Sequence, residues 1–303
     1  MVYSVGPRLA PWTKEGGGAG RVILDRRAIM ADEITADHIA DYLSTRDDFD
    51  LELSTYRMLR EHAWDAQLGG MYPDPLQPKH RQYDVRAHRV IWPKLHCEMR
   101  LAVECKNLTA EFPLVVSRVP CPVEESQHCV IRTWLRRETG DFIFEIAESD
   151  PNKYQLCPVG TPIGKSLTQI KLDGKRLVAS DSETYDKWMQ AVASAAKLAE
   201  LGAKRQEPDT AVFTFVMPVL LVADKTLWVV DYSEKGERAA AVQADETLYF
   251  VDRSHDIAHR YGPRNYRMRH LFIYTQTGFA RMLKNYTSDS GSMADRTFAF
   301  ALR

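Results

Sequence analysis

The segment Arg100-Leu-Ala-Val-Glu-Cys-Lys106 alternates Leu101, Val103 and Cys105 against Ala102, Glu104 and Lys106. A period of two is that of a β-strand, so Glu104 and Lys106 share one face. Opposite charges on such a strand are costly to desolvate without a partner, which points to a metal or an anionic substrate beside them. An ion pair on an edge strand is the plain alternative. A second Asp/Glu-x-Lys string, Asp173-Gly174-Lys175, sits on a turn signal and presents no strand face.

Upstream, Asp84 in Gln82-Tyr-Asp-Val-Arg86 lies 20 residues before Glu104, with a turn expected at Trp92-Pro-Lys-Leu95. A hairpin centred on Lys94 sets residues whose numbers sum to 188 opposite one another, which puts Asp84 across from Glu104. Two facing carboxylates repel and are stable mainly when a divalent cation neutralises them. Further upstream a helix is expected from about Asp50 to Trp64. At about 100° per residue, Glu52, Tyr56, Leu59 and Ala63 fall on one stripe, so the Glu52 carboxylate points with the apolar face. A first-turn acid favoured by the helix dipole is the alternative for Glu52.

Around these residues the chain reads as mixed α/β. Residues 1–30, with Glu15-Gly-Gly-Gly-Ala-Gly20, suit a flexible arm, and residues 31–303 a single domain. A short helix is expected from Thr35 to Leu43 and strands at 82–92, 99–105 and 113–119. A lobe inserted at 121–180 carries a strand at 141–147. Then follow a helix from Asp181 to Leu201, strands at 212–222 and 226–232, and a C-terminal extension (233–303) with a strand at 271–275, a helix from Thr277 to Tyr286 and a strand at 297–302.

The helix with Glu52, the strand with Asp84 and the strand with Glu104-x-Lys106 together resemble the PD-(D/E)xK nucleases of the restriction endonuclease-like superfamily. Bacterial members whose apolar strand ends in Glu-Cys-Lys are the most similar, here Leu101-Ala-Val-Glu-Cys-Lys-Asn-Leu108. The resemblance implies an αβββαβ core over about 47–120 and 181–232. It implies Asp84, Glu104, Glu52 and the Cys105 carbonyl as ligands of Mg²⁺, with Mn²⁺ as a substitute, and Lys106 as the group that orients or activates water. The implied activity is metal-dependent hydrolysis of DNA in phage defence, restriction or repair. A non-catalytic nucleic-acid-binding module of the same fold, and a nuclease for RNA or structured DNA, are the alternatives. Cleavage of both strands implies a homodimer, and a defence role implies a partner protein.

Local charge agrees with a polyanionic substrate. Residues 79–106 hold seven Lys or Arg (Lys79, Arg81, Arg86, Arg89, Lys94, Arg100, Lys106) against Asp84, Glu98 and Glu104. Lys79, Arg81 and Arg86 are the expected phosphate contacts, and Arg132, Arg136 and Arg137 a further cluster at the groove. The net charge of -1 excludes a bulk polycation. The longest apolar run, Ala211 to Ala223, is well short of the roughly 18 residues a membrane helix needs, and residues 1–10 do not read as a secretion signal, so a cytoplasmic protein is expected. Five cysteines without a Cys-x-x-Cys pair fit reduced thiols. Gly160-Thr-Pro-Ile-Gly-Lys-Ser166 lacks the glycine spacing of a phosphate loop, and His255 with His259 lacks a third metal ligand, so a surface helix or loop is expected there.

Overall fold

The computed structural model describes residues 33–45, 47–75, 79–92, 96–149, 156–179, 182–205 and 210–287. The expected arm at 1–30, the turn at Lys94 and the strand at 297–302 lie outside them. The chain opens with helices α1 (Ala36–Thr45) and α2 (Phe49–Glu61), then strands β1 (Asp65–Leu68), β2 (Met71–Pro73), β3 (His80–Gln82), β4 (Val85–Trp92) and β5 (Cys97–Lys106). Next come β6 (Leu114–Pro120), β7 (Cys129–Arg136), β8 (Asp141–Glu148), β9 (Pro162–Asp173) and β10 (Arg176–Ala179). Helix α3 (Ser182–Ala203) leads into β11 (Val212–Val222), β12 (Leu227–Asp231), β13 (Val242–Gln243), β14 (Glu246–Ile257), β15 (Arg264–Thr275) and α4 (Gln276–Thr287).

Thirteen of these strands form one mixed sheet, its main path running β1-β4-β5-β11-β15-β14-β9-β6-β12-β13. β1, β4 and β5 are an antiparallel meander, and β11 returns beside β5 in parallel after α3. Every residue of β11 is buried, as expected for a parallel strand covered on both faces, and Val212-Phe-Thr-Phe-Val-Met-Pro-Val-Leu-Leu-Val222 is apolar almost throughout. Its far side is shared: β7 pairs with Val212–Thr214 and β15 with Val219–Val222.

Side-chain alternation divides the core. Leu101, Val103 and Cys105 of β5 pack on one face with Leu51 and Leu59 of α2 and with Phe279, Met282 and Leu283 of α4. Ala102, with Val216 and Leu220 of β11, packs on the other face against Trp188, Ala191, Ala195 and Ala199 of α3. The small alanines let α3 approach the strands closely.

Two expectations are corrected. The strand at 114–120 is not the third strand beside β5; it pairs with β9 and β12, and the meander's outer strand is β1, whose four residues include one buried side chain, Ala66. The inserted and C-terminal segments contribute strands to the same sheet, with β9 between β14 and β6 and β15 beside β11. Helix α2 stops at Glu61, where the Trp64 amide donates to the Leu59 carbonyl across a left-handed Ala63 at φ 58°, so Ala63 is not on the helical stripe.

Gly160–Ser166 runs into β9 rather than around a phosphate. A Cβ on Gly164 would lie 2.7 Å from Val116 Cγ1 and 3.0 Å from the Leu248 carbonyl oxygen, so this glycine serves the close approach of β6, β9 and β14.

Candidate active site

The hairpin of β4 and β5 has the register the turn geometry predicts. Val85 pairs with Val103, Ala87 with Leu101 and Val90 with Glu98, and the slip of one residue, at Trp92 opposite Cys97, comes only next to the turn. Asp84 stands one residue before β4 and Glu104 one residue beyond the last pair, on opposite sides of the hairpin. Asp84 is fixed from three directions. Its carbonyl accepts from the Gly69 amide at 2.7 Å, and its Oδ2 accepts from the Cys105 amide at 2.8 Å and from Lys187 Nζ at 2.9 Å.

Glu104 is fully buried; its carboxylate oxygens lack a well-formed hydrogen bond, and Asp84 approaches them with both its side chain and its backbone amide. Burial and then the neighbouring Asp84 push its carboxyl well above the usual carboxylate range, with Lys187 opposing. When protonated, Glu104 can share that proton with Asp84. Glu52, in the first turn of α2, is half-buried, and burial and the Asp84 charge raise it to about 7. Lys106 closes β5, half-buried, on the face that alternation assigns to Glu104. The Cys105 thiol points to the opposite side, 3.7 Å from Thr55 Oγ1, and burial raises it well above the ordinary thiol value.

Two further residues complete the rim. Lys187 of α3 bridges Asp84 and, at 3.5 Å, Asp48. Burial opposes its charge, but Asp84, Glu104 and Asp48 together outweigh burial and hold the ammonium protonated above its usual range. Asp48 Oδ1 in turn accepts from the Asn107 amide at 2.6 Å, which ties the start of α2 to the end of β5. Asp48 reads in the sequence only as a helix-start signal. Lys187 is one position before Trp188 on the buried face of α3, and a charge at the border of an apolar stripe is the one signal that could have found it.

The expected phosphate contacts differ in availability. Lys79 is exposed. Arg81 is paired with Asp74, whose side chain is 1% exposed. Arg86 turns inward: its guanidinium sits 4.6 Å from the Tyr72 ring centre and 4.2 Å from that of Tyr83, and Nε donates to Ser194 Oγ at 2.9 Å. That charge is used to dock α3 on the meander. Arg132 does not border the rim. It pairs with Phe213 of β11, whereas Glu104 pairs with Leu220, seven residues and roughly 23 Å along the strand. His255 lies in β14 rather than in a helix or loop, its Nε2 3.0 Å from Glu200 Oε1.

Among the described residues, no group of three or more His, Cys, Asp or Glu is drawn together as a metal site. Glu104 lies against Asp84, and Glu52 feels the Asp84 charge. The donor chemistry nonetheless suits a hard cation, because the buried carboxylate oxygens of Glu104, without a well-formed hydrogen bond, lie beside a second carboxylate. Comparison with protein-family models, with curated proteins and with solved structures finds no match.

Proposed function

We propose that the chain is a divalent-cation-dependent endonuclease that hydrolyses phosphodiester bonds of DNA on a restriction endonuclease-like αβββαβ core. The observation that carries this reading is the Glu104 carboxylate, buried against a second carboxylate, Asp84, across the hairpin and two residues from Lys106. The order of α2, the β1-β4-β5 meander, α3 and a β11 parallel to β5 supports it.

In this reading Asp84, Glu104, Glu52 and the Cys105 carbonyl would hold Mg²⁺, or Mn²⁺ in its place. The bound ion supplies a Lewis acid for the phosphoryl oxygen and an acidified water. Glu52, raised to about 7 without a cation, would release its proton as the ion binds. Lys106 would orient the water as a point charge. Lys187, held protonated, keeps Asp84 in place and adds positive charge where a phosphate would approach. Lys79 would contact the backbone of the substrate from the exposed surface. Scission of both strands would use a homodimer, and a partner protein from a defence system would set the biological target. No helix among the described residues is long and apolar enough to cross a membrane.

One observation favours a second reading, a non-catalytic nucleic-acid-binding module: the Lys187–Asp84 pair neutralises part of the acid cluster with no cation. Supercoiled plasmid, single-stranded DNA and RNA are incubated with the protein in Mg²⁺, Mn²⁺ or EDTA, alongside Glu104→Ala and Lys106→Ala. Metal-dependent cutting of DNA that both substitutions abolish is the expected result. Binding with no cut in either metal overturns the nuclease reading in favour of the module, and cutting confined to RNA reassigns the substrate.

A further inference from the structure

Outside the candidate site, the described residues bring two thiols together. Cys121 follows the end of β6, and Cys157 lies 36 residues later, in the segment that leads into β9. Both are buried, at 2% and 1% exposure, in a small apolar cluster with Ile163, against which Leu248 and Phe250 pack. The backbone holds them in register. The Cys121 amide donates to the Thr161 carbonyl at 2.8 Å, and its carbonyl accepts from the Gly160 amide at 2.9 Å. A turn closed by the Thr161 amide on the Pro158 carbonyl, at 3.0 Å, folds Cys157 back over Cys121. Cys121 Sγ is then 3.9 Å from the Cys157 carbonyl oxygen, Cys157 Sγ is 3.7 Å from Thr161 Oγ1, and each thiol perturbs the titration of the other. Cys97, Cys105 and Cys129 belong instead to the two main cores.

We propose that Cys121 and Cys157 are a reversible disulfide site, at which an oxidant of the peroxide class staples the end of β6 to the turn before β9. Two thiols on separate segments, buried in one small cluster with Cys121 Sγ against the Cys157 carbonyl, need only small movements to reach bonding distance. Cys157 is the nucleophile. The hydrogen bond from Cys121 draws its thiol below the ordinary value; burial opposes this and Thr161 adds to it. The Cys157 thiolate attacks one oxygen of hydrogen peroxide, the O–O bond breaks, and the departing hydroxide takes the thiol proton to become water. Cys157 is then a sulfenic acid. The Cys121 sulfur, giving up its proton, attacks the Cys157 sulfur; the S–O bond breaks, a second water leaves and the S–S bond forms. Two electrons pass from the two thiols to one peroxide. Access is through the turn, where Val159, Gly160 and Thr161 are exposed and a local opening uncovers Cys157.

The full chain is treated with hydrogen peroxide, quenched with catalase, unfolded, alkylated and digested without reductant. The expected product is a peptide pair joined through Cys121 and Cys157, lighter than the free pair by about 2 Da and restored by dithiothreitol. Cys121→Ser and Cys157→Ser each lose the cross-link. Because either serine could disturb a buried cluster, untreated wild-type protein is also exposed to phenylarsine oxide, which bridges only adjacent thiols. Protection of both cysteines from alkylation is the supporting result. Separate sulfinic acids at the two positions, a bridge through Cys97, Cys105 or Cys129, or no arsenical protection overturns the proposal.

Discussion

Glu104→Gln should stabilise the protein in EDTA. The wild-type carboxylate is fully buried, lacks a well-formed hydrogen bond and faces the charge of Asp84. Leaving a buried polar group unpaired costs about 1–3 kcal/mol, more when it is charged. Protonation limits that cost. Because burial and Asp84 raise its carboxyl, folding also holds on Glu104 a proton that the unfolded chain would release, at a further cost. The amide removes the charge and its proton cost while keeping the shape, and Lys187 already offsets part of the penalty. A gain of about 1–3 kcal/mol follows, a few degrees in Tm for a chain of this size. The sign of the pH dependence is fixed. The folded-state pKa is raised, so the carboxyl's contribution is fully present below about 4.5 and is lost as pH rises above it. The advantage of the variant should therefore be largest at pH 7.5 and vanish near pH 4.5. Thermal unfolding of both proteins across that range in EDTA is the assay, with Mg²⁺ added in a parallel series. A variant that melts below wild type at pH 7.5, or an offset independent of pH, refutes the account of Glu104 as an uncompensated carboxyl.

Lys187→Met removes one partner of a largely buried pair, whose side chains are 21% and 8% exposed. It should cost about 3 kcal/mol by urea unfolding in EDTA, with part recovered in Mg²⁺. Glu52→Gln should flatten the fall in stability that wild type shows as pH rises from about 4.5 to about 7, because the raised carboxyl at about 7 loses its contribution over that window. Half-exposure limits the effect to about 1 kcal/mol, and chemical denaturation at several pH values measures it. Gly164→Ala should destabilise by about 1–3 kcal/mol through collision with Val116 and the Leu248 carbonyl, while plasmid cutting at permissive temperature is retained.

The parts that were legible in the sequence are those whose pattern reports local burial. β11 is apolar from end to end because both of its faces are covered, and its bounds coincide with the expected 212–222. The facing of Asp84 and Glu104 was legible because strand period and turn position together set a register, and that register holds from Val85 to Val90. β1 was not, since in Asp65-Ala-Gln-Leu68 a single small residue carries the buried face. β9 was hidden because it changes partners along its length, so Pro162–Asp173 shows no simple alternation. Within the site, Glu52, Asp84, Glu104 and Lys106 declare themselves by residue type and spacing. Lys187 and the inward turn of Arg86 depend on how α3 lies across the sheet, a long-range packing that no short window encodes.

The shared edge of β11 also bears on how the chain is made. β15 seals the Val219–Val222 end of that edge, and about 160 residues separate it from β5, the partner on the other side. During synthesis on a ribosome, the apolar border of β11 is therefore translated well before its cover exists. An uncovered parallel edge of this kind invites pairing with other chains. Fragments that end between β11 and β15 should be recovered as aggregates or bound to chaperones, and the rim carrying Glu104 takes its final form only after Thr275 has emerged.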